Sequence, residues 1–317
     1  MTAVLPADAR SGRAVETVYR PAGALDVPGT IGQLGRGPYD PTTSWDLQGM
    51  WRTWRTPEGP ATLRILRASA DGGIRAAAWG PGAHWAIDAV PGLLGKDDDW
   101  SGLDVRSHPL LRDSLHRNPG LRLMRTGLVL EALLPAIIEQ RVTSLEAYRS
   151  WARLLRWYGE PAPGPAPEGL RVVPTLQQLR GIPSWDWHRA GVDPRRARAI
   201  QAVLAVAPSL ERAIGAAASL DDAESAMRTI PGIGQWTAAE TLQRSHGHPD
   251  LVSVGDYHLA HQVGEALTGS RVDDDGMLEL LEPWRGDRQR VVRLILASGF
   301  RFQRRGPRVA LQDHRWH

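Results

Sequence analysis

An interruption of the helical pattern by one proline and two glycines is the sequence feature that most constrains the fold of this chain. Residues 229–238 read TIPGIGQWTA; the helix-like DDAESAMRT leads into this segment, and the helix-like QWTAAETLQRSH continues from it. Proline ends a helix, whereas glycine adopts backbone angles that other residues avoid and leaves no side chain in the way. The Pro-Gly-Ile-Gly sequence therefore predicts a tight hairpin between two helices, within about residues 221–246.

The predicted hairpin has the chemistry of an anion site. Its N–H groups lie at the N-terminus of the second helix, where partial positive charge favours a phosphate. The isoleucine between the glycines is expected to pack back against both helices, and the following threonine can offer a hydroxyl to a phosphate. These features are typical of a helix-hairpin-helix that binds the DNA backbone without reading its sequence; the alternative is a C-cap glycine with an ordinary tight turn. The residues predicted to contact DNA here are Gly232, Ile233, Gly234 and Thr237.

An aspartate follows the hairpin at a point where an extended segment ends and a helical pattern begins. Asp256 comes directly after Gly255, which ends the extended apolar piece LVSV, and leucine and valine then recur at helical spacing. Asp256 is therefore expected at the start of a helix. One interpretation is an N-cap, which contributes about 1 kcal/mol to helix stability. The other is a functional carboxylate that the hairpin brings close to DNA.

Composition excludes several kinds of chemistry. The 317 residues are 42% hydrophobic and 23% charged, which is typical of a globular protein. The absence of cysteine excludes disulfides, thiolate-bound metal clusters and a cysteine nucleophile. No apolar run approaches the ~18 residues of a membrane span, and no signal-peptide pattern opens the sequence, so we expect a cytoplasmic protein without a membrane partner.

The order of the patterns indicates a mostly α chain with an N-terminal α+β domain. From about residue 40 the signals are strand-like: residues 61–68 alternate, and the segments 74–80 and 84–90 follow at short spacing, which predicts an antiparallel sheet with some helix. After residue 109 the pattern is helical, including a buried helix over 127–140 and a TSLE capping box at 143–146. Two shorter helices are expected at 194–206 and 209–215, separated at Pro208. The predicted divisions are a flexible arm at 1–20, a sheet domain at 21–105, a helical core at 106–300 and a basic tail at 301–317.

The hairpin, its two glycines and the aspartate, in this order and spacing, resemble the helix-hairpin-helix DNA glycosylase superfamily. PGIGQWTA and GDYHLAHQ look like the hairpin and active-site helix of the DNA-3-methyladenine glycosylase II family. LLPAIIEQRVTS, residues 133–144, resembles the helix and loop that this family pushes into the duplex. The resemblance implies an antiparallel sheet domain followed by a helical glycosylase core that contains the hairpin.

The resemblance also implies roles for individual residues. Asp256 would be the catalytic carboxylate, and Trp236 and Tyr257 would line a pocket for the damaged base; core packing is the alternative for both aromatic residues. Glu240, one turn beyond Trp236, stands where the family often has an aromatic residue, and it could equally lie on the surface. The residues at the position of the wedge that fills the gap left by a flipped base are Gln140 and Arg141, although an exposed arginine at a helix end is an equal alternative.

The single lysine bears on the reaction. Glycosylases that also cut the strand use an amine, normally a lysine beside the hairpin, to form a Schiff base. Trp236 occupies that position, and the only lysine, Lys96, lies in the acidic segment GKDDDW. The resemblance thus implies a monomeric, monofunctional enzyme that hydrolytically removes alkylated, 3-methyladenine-like bases from double-stranded DNA. The α-amino group of the N-terminus is the one other amine that could form a Schiff base.

The sequence is also compatible with two other functions, and the family resemblance implies a bound ion. A glycosylase of the same fold could act on deaminated, oxidised or mismatched bases, and a non-catalytic protein could use the hairpin to bind lesions. No cofactor is required by the proposed hydrolysis. The family does imply a monovalent cation, Na⁺ or K⁺, held by the backbone carbonyls of Ile230 and Gly232.

Overall fold

The structure, a computed structural model, describes residues 12–67 and 72–301. Most of the predicted arm and nearly all of the predicted basic tail lie outside these residues. The strands are β1 (Val15–Tyr19), β2 (Thr43–Asp46), β3 (Gly49–Thr56), β4 (Gly59–Leu66), β5 (Ile74–Trp79), β6 (Glu160–Pro161) and β7 (Arg171–Val172). The helices are α1 (Val27–Ile31), α2 (Ala83–Asp88), α3 (Val90–Leu93), α4 (Pro109–Arg117), α5 (Val129–Ile138), α6 (Ser144–Tyr158), α7 (Leu176–Arg180), α8 (Ser184–Ala190), α9 (Pro194–Gly215), α10 (Leu220–Arg228), α11 (Gln235–Ser245), α12 (Leu259–Thr268), α13 (Asp274–Leu281) and α14 (Arg288–Ala297).

The N-terminal part is a five-stranded antiparallel sheet in the order β1-β5-β4-β3-β2. Its apolar face packs with α2 and α3 around a first hydrophobic core. Helices make up nearly all that follows, so the predicted fold class, a mostly α chain with an N-terminal sheet, is confirmed. The largest fully buried side chains of this sheet core include Trp54, Met50, Leu63, Ile65 and Ile74.

Two local predictions in this region need correction. Residues 15–19 were expected within a flexible arm, but VETVY alternates in burial and pairs along its whole length with β5. Residues 84–90 were expected to be extended, yet they form α2 and the start of α3. The buried residues Ala83, Ala86, Ile87 and Val90 recur at helical spacing, and alanine favours helix over strand.

The helical part contains two hydrophobic cores. The first is built on α5, α6, α8, α9 and the hairpin helices α10 and α11, and α5 is buried almost all round, as predicted. The second brings together residues 103–121 with α12, α13 and α14. The chain passes from one core to the other between Leu251 and Val252, just before Asp256. Within residues 12–67 and 72–301, no helix is long and apolar enough to cross a membrane.

Two glutamates of the α5 segment connect the sheet to the helices. The carboxylate of Glu131 accepts a hydrogen bond from the backbone N–H of Arg55 at 2.5 Å and lies 3.5 Å from the Arg52 guanidinium. Glu139, the residue that ends α5, is paired with the buried side chain of Arg36. These charges are shielded from water, so breaking either pair by removing one partner would leave an uncompensated buried charge.

The long helix α9 was expected as two helices separated at Pro208, but it runs unbroken through this residue. Proline has no N–H, so the carbonyl of Leu204, four residues earlier, loses its helical donor. The guanidinium of Arg180 replaces this donor: Nε and Nη2 lie 3.0 and 2.5 Å from the Leu204 oxygen. A side chain from α7 therefore supplies the hydrogen bond that the proline removes.

We expect Arg180→Met to lower the free energy of unfolding by about 1–2 kcal/mol, because the buried Leu204 carbonyl would then have no donor. Urea unfolding measures the loss. In a Pro208→Ala background the alanine N–H can serve the same carbonyl, so the cost of Arg180→Met should fall to less than half. Equal costs in both backgrounds would contradict this account of the continuous helix.

Candidate active site

The hairpin turn connects α10 to α11 through two glycines with different roles. Gly232 has a φ of 90°, in the left-handed region that favours glycine. A Cβ at this position would lie 2.6 Å from the Cβ of Ala199 in α9, which is closer than real carbon atoms approach. Gly232 is therefore needed both for its backbone angle and for the contact of the turn with α9.

Gly234 instead leaves the start of α11 open. It is the N-cap residue with an ordinary φ of −97°, and a Cβ there would meet nothing within 4 Å. Within the described part of the chain, the N–H groups of Gln235, Trp236 and Thr237 have no hydrogen-bond partner. Uncapped amides at the positive end of a helix favour an anion, so this end of α11 can receive a phosphate through its backbone.

The two other hairpin residues predicted to contact DNA have buried side chains. Ile233 is 5% exposed and packs in the first helical core, in agreement with the expectation that it holds the two helices together. Thr237 is only 2% exposed, and its hydroxyl accepts a hydrogen bond from the side-chain amide of Gln140 at 2.8 Å. The Thr237 hydroxyl is thus engaged inside the protein and not presented to a phosphate.

Gln140 and Arg141 occupy the turn that follows α5. The Gln140 amide also donates to the Gly232 carbonyl at 3.0 Å, so it connects this turn to the hairpin. Arg141 is exposed and has a φ of 57°, which is strained for any residue other than glycine. The turn therefore holds the arginine in a fixed, sparsely populated backbone conformation beside the hairpin.

The carbonyls predicted to hold a monovalent cation already have donors. Gly232 accepts from Gln140, and the Ile230 carbonyl accepts from the N–H of Ile233 at 3.0 Å. A carbonyl oxygen has two lone pairs, so one hydrogen bond to each of these carbonyls leaves a lone pair for a cation. The monovalent cation at this pair stays a prediction.

Asp256 lies between the hairpin and α12. Its Oδ1 accepts from the backbone N–H groups of His258 and Leu259 at 2.9 and 3.0 Å. The carboxylate thus binds the first N–H of α12, although the N-cap residue is His258 and not Asp256 as one interpretation predicts. Its Oδ2 lies 3.4 Å from the indole Nε1 of Trp236. A role at the helix end and a role at the site are compatible, because one oxygen binds the helix while the other faces the hairpin helix.

Tyr257 and Trp236 differ in their surroundings. The Tyr257 ring is 80% exposed and touches the ring of His258 edge-on, with centroids 4.8 Å apart. Core packing, the alternative for Tyr257, is thereby excluded. Trp236 is half-buried, in the first turn of α11 and beside the aspartate. Trp236 therefore contacts the carboxylate, whereas the ring of Tyr257 is open to solvent.

Glu240 is neither a free pocket residue nor a surface residue. Its Oε2 lies 2.7 Å from Nη1 of Arg244, and its Oε1 accepts from the hydroxyl of Ser253 at 2.5 Å. Burial disfavours the charged carboxylate, but the Arg244 charge and the Ser253 hydroxyl outweigh it and hold the pKa of Glu240 below its ordinary value. Glu240 is therefore an ionised, fully engaged carboxylate beneath the aspartate loop.

The loop that carries Asp256 is held by residues that the sequence reasoning missed. Gln243 donates to the Leu251 carbonyl at 2.8 Å and to the Ser253 hydroxyl at 3.1 Å, and Asp274 accepts from the backbone N–H of the glycine before Asp256 at 3.1 Å. A signal for Gln243 was present: it follows Trp236 and Glu240 at i, i+4, i+7 spacing, on one face of α11.

The two hairpin glycines should respond differently to alanine. Gly232→Ala is expected to lower the free energy of unfolding by about 1–3 kcal/mol, because of its positive φ and the overlap with Ala199. Gly234→Ala meets no neighbour and should cost less than about 1 kcal/mol, the difference between glycine and alanine at an N-cap. Urea unfolding of both variants provides the test, and equal losses would contradict the assignment.

The chain is related in sequence to a DNA repair enzyme. No protein-family model matches this sequence. Over 172 residues, 54% of the chain, it is 28% identical to a Mycobacterium tuberculosis protein named probable bifunctional transcriptional activator/DNA repair enzyme AlkA. The match covers 32% of that protein, so the chain spans about a third of the length of the curated relative.

Solved structures share the fold at low identity. A 3-methyladenine DNA-glycosylase from Archaeoglobus fulgidus matches with a TM-score of 0.71 and 16% identity, over 90% of this chain and 99% of that chain. A Clostridium acetobutylicum 8-oxoguanine glycosylase/lyase, in complex with double-stranded DNA containing cytosine opposite 8-oxoG, matches with a TM-score of 0.65 and 11% identity, over 90% and 97%. In sequence and in fold the chain is therefore similar to the helix-hairpin-helix DNA glycosylase superfamily, as its hairpin and aspartate predict.

Proposed function

We propose that the chain is a monofunctional DNA glycosylase that flips damaged, alkylated bases out of duplex DNA and releases them by hydrolysis. One observation carries this proposal: the carboxylate of Asp256 lies beside the indole of Trp236, next to a hairpin whose backbone amides are open to a phosphate. A phosphate-binding turn, a fixed carboxylate and aromatic surface are what such a reaction needs in one place.

Binding would begin at the hairpin. The open N-terminus of α11 holds one backbone phosphate through N–H groups, which requires no particular base sequence. The related Clostridium structure contains double-stranded DNA, which supports double-stranded DNA as the partner of this chain. Arg141, exposed on the turn joined to the hairpin by Gln140, would stack in the gap that a flipped base leaves.

Asp256 would act on the sugar of the extruded nucleotide. As the bond between sugar and base breaks, positive charge develops on the sugar, and a nearby carboxylate stabilises it. The base leaves with its bonding electrons, and water adds to the sugar carbon and gives up a proton. A cationic alkylated base leaves as a neutral molecule, so this proton passes to solvent, whereas a neutral base takes up a proton as it leaves. Oδ1 is fixed by two backbone amides, whereas among the described residues Oδ2 has only the long contact with Trp236, so Oδ2 would face the sugar or orient the water.

The aromatic rings would select the base. Flipping costs a few kcal/mol, less for a base that pairs poorly. Many alkylated purines are cationic, and the faces of Trp236 and Tyr257 attract a cation by about 0.5–2 kcal/mol more than a neutral base. The repair enzyme and the 3-methyladenine glycosylase among the relatives support alkylated substrates. An 8-oxoguanine glycosylase/lyase has the same fold, so oxidised bases are the second candidate substrate.

The side chains available support hydrolysis without strand cutting. Trp236, which cannot form a Schiff base, stands directly after the hairpin, and Lys96 is the only lysine of the sequence. A lyase reaction would need an amine that reaches the sugar carbon beside Asp256. The proposed product is therefore an intact strand with an abasic site.

Asp256→Asn tests the role of the carboxylate. The amide oxygen can still cap α12, so we expect the fold and DNA affinity to change little, while single-turnover release of methylated bases falls at least about 100-fold. Base release and fluorescence anisotropy with a methylated duplex measure the two quantities. Asp275→Asn, an exposed acid of α13, is the matched control and should leave both unchanged. Unchanged release by Asp256→Asn, or no release by the wild type, would favour a lesion-binding protein.

Lesion class and strand cutting can be measured on one set of labelled duplexes. Duplexes with methylated, deaminated or oxidised bases are incubated with the protein and analysed with and without piperidine. We expect release from methylated DNA, with strand breaks visible only after piperidine. Release confined to oxidised or mismatched duplexes would replace alkylated bases as the substrate, and strand breaks without piperidine would contradict the hydrolytic mechanism.

A further inference from the structure

Helix α11 contacts the loop that carries Asp256 through two side chains, one helical turn apart. Trp236 in its first turn meets the carboxylate itself, and Glu240, one turn later, meets Ser253 at the base of the loop. Ser253 is buried, and its backbone carbonyl accepts the N–H of Asp256 at 3.2 Å. A continuous set of hydrogen bonds therefore runs from the Glu240 carboxylate, through one serine, to the backbone of the aspartate.

Glu240 is itself held by charges from two other segments. Arg244, one turn further along α11, is paired with it, and Glu139 at the end of α5 favours the charged form of this arginine. Glu139 is paired in turn with Arg36 of the N-terminal part, whose backbone N–H donates to Asp40 at 2.9 Å. The Glu240 carboxylate thus has a fixed position relative to both the end of α5, where the turn with Gln140 and Arg141 begins, and the N-terminal part.

We propose that Glu240 is a positioning residue that sets the place of Asp256 by holding Ser253. This inference rests on the proposed function, because it assigns Glu240 a part in base release without contact with the base. The family resemblance would place the residue in the base pocket, whereas its two carboxylate oxygens are both used beneath the aspartate loop. Displacement of a catalytic group by ~1 Å can cost about 100-fold in rate, so a small shift of this loop is measurable.

Ser253→Ala removes the connection and leaves the ion pair between Glu240 and Arg244 in place. We expect single-turnover release of methylated bases to fall about 10- to 100-fold while affinity for the same duplex stays within about twofold. Ser245→Ala is the matched control: this serine is also buried on α11, where its hydroxyl donates to the Thr241 carbonyl at 2.8 Å, away from the aspartate loop. Equal rates for Ser253→Ala and Ser245→Ala would overturn the inference.

A second set of variants removes the acceptor. Glu240→Met alone would leave Arg244 buried without its partner, so Glu240→Met is combined with Arg244→Met, since replacing both members of a buried ion pair is often neutral for stability. If Glu240 acts through Ser253, the pair replacement should slow release as Ser253→Ala does, and adding Ser253→Ala to it should slow release no further. If the pair replacement and Ser253→Ala slow base release independently of each other, so that their effects on the rate multiply, Glu240 does not act through Ser253.

Hydrogen exchange gives a readout that does not depend on base release. The amides of Asp256, His258 and Leu259 all donate to acceptors in this loop, so in Ser253→Ala they should exchange faster than in the wild type, and in Ser245→Ala they should not. Unchanged exchange in Ser253→Ala would overturn the positioning role. If the wild type releases no base while exchange responds as expected, the proposed function fails and the positioning of Asp256 by Glu240 stands.

Discussion

The indole N–H of Trp236 and the carboxylate of Asp256 meet at the seam between the two helical cores. The hairpin helix belongs to one core and the aspartate helix to the other, so their relative position is set by how the cores pack and by the loop between them. Hydrogen bonds cross this seam from one face of α11 and also from Pro249 and Asp250, which accept from backbone and side-chain donors around the start of α14. Any change that separates the cores would separate the hairpin turn from the carboxylate before it disturbed either one alone.

The sheet contributes to this arrangement from the other side. It contributes no residue to the candidate site, yet Arg36 and Arg52 reach into α5, whose end carries the turn with Gln140 and Arg141. Buried ion pairs add little net stability compared with apolar contacts, but they are costly to break on one side only. They therefore suit the task of fixing one orientation of α5 relative to the sheet, and through it the turn beside the hairpin.

The sequence patterns predicted most of the helices, because burial repeats every three to four residues and Thr143 and Glu146 form the capping box that starts α6. They mispredicted where a local signal and a tertiary contact disagree: Pro208 breaks the pattern of α9, but a distant arginine restores the lost hydrogen bond. At the site, the spacing of glycines and aspartate was sufficient to propose their proximity. The engagement of Glu240 and Thr237 was not predictable, because it depends on partners from other segments.

The contact between Gly232 and Ala199 has a consequence for how such a chain can change. The two positions lie on different elements: a Cβ at position 232 would overlap the Cβ of Ala199, and Ala199 is itself buried. Glycine at position 199 would remove this overlap, whereas no replacement at position 232 could make room for a larger residue at position 199, because glycine has no side chain to remove. The lack of a side chain at position 232 thus restricts which residues α9 can carry, and variation at position 199 should be confined to alanine and glycine.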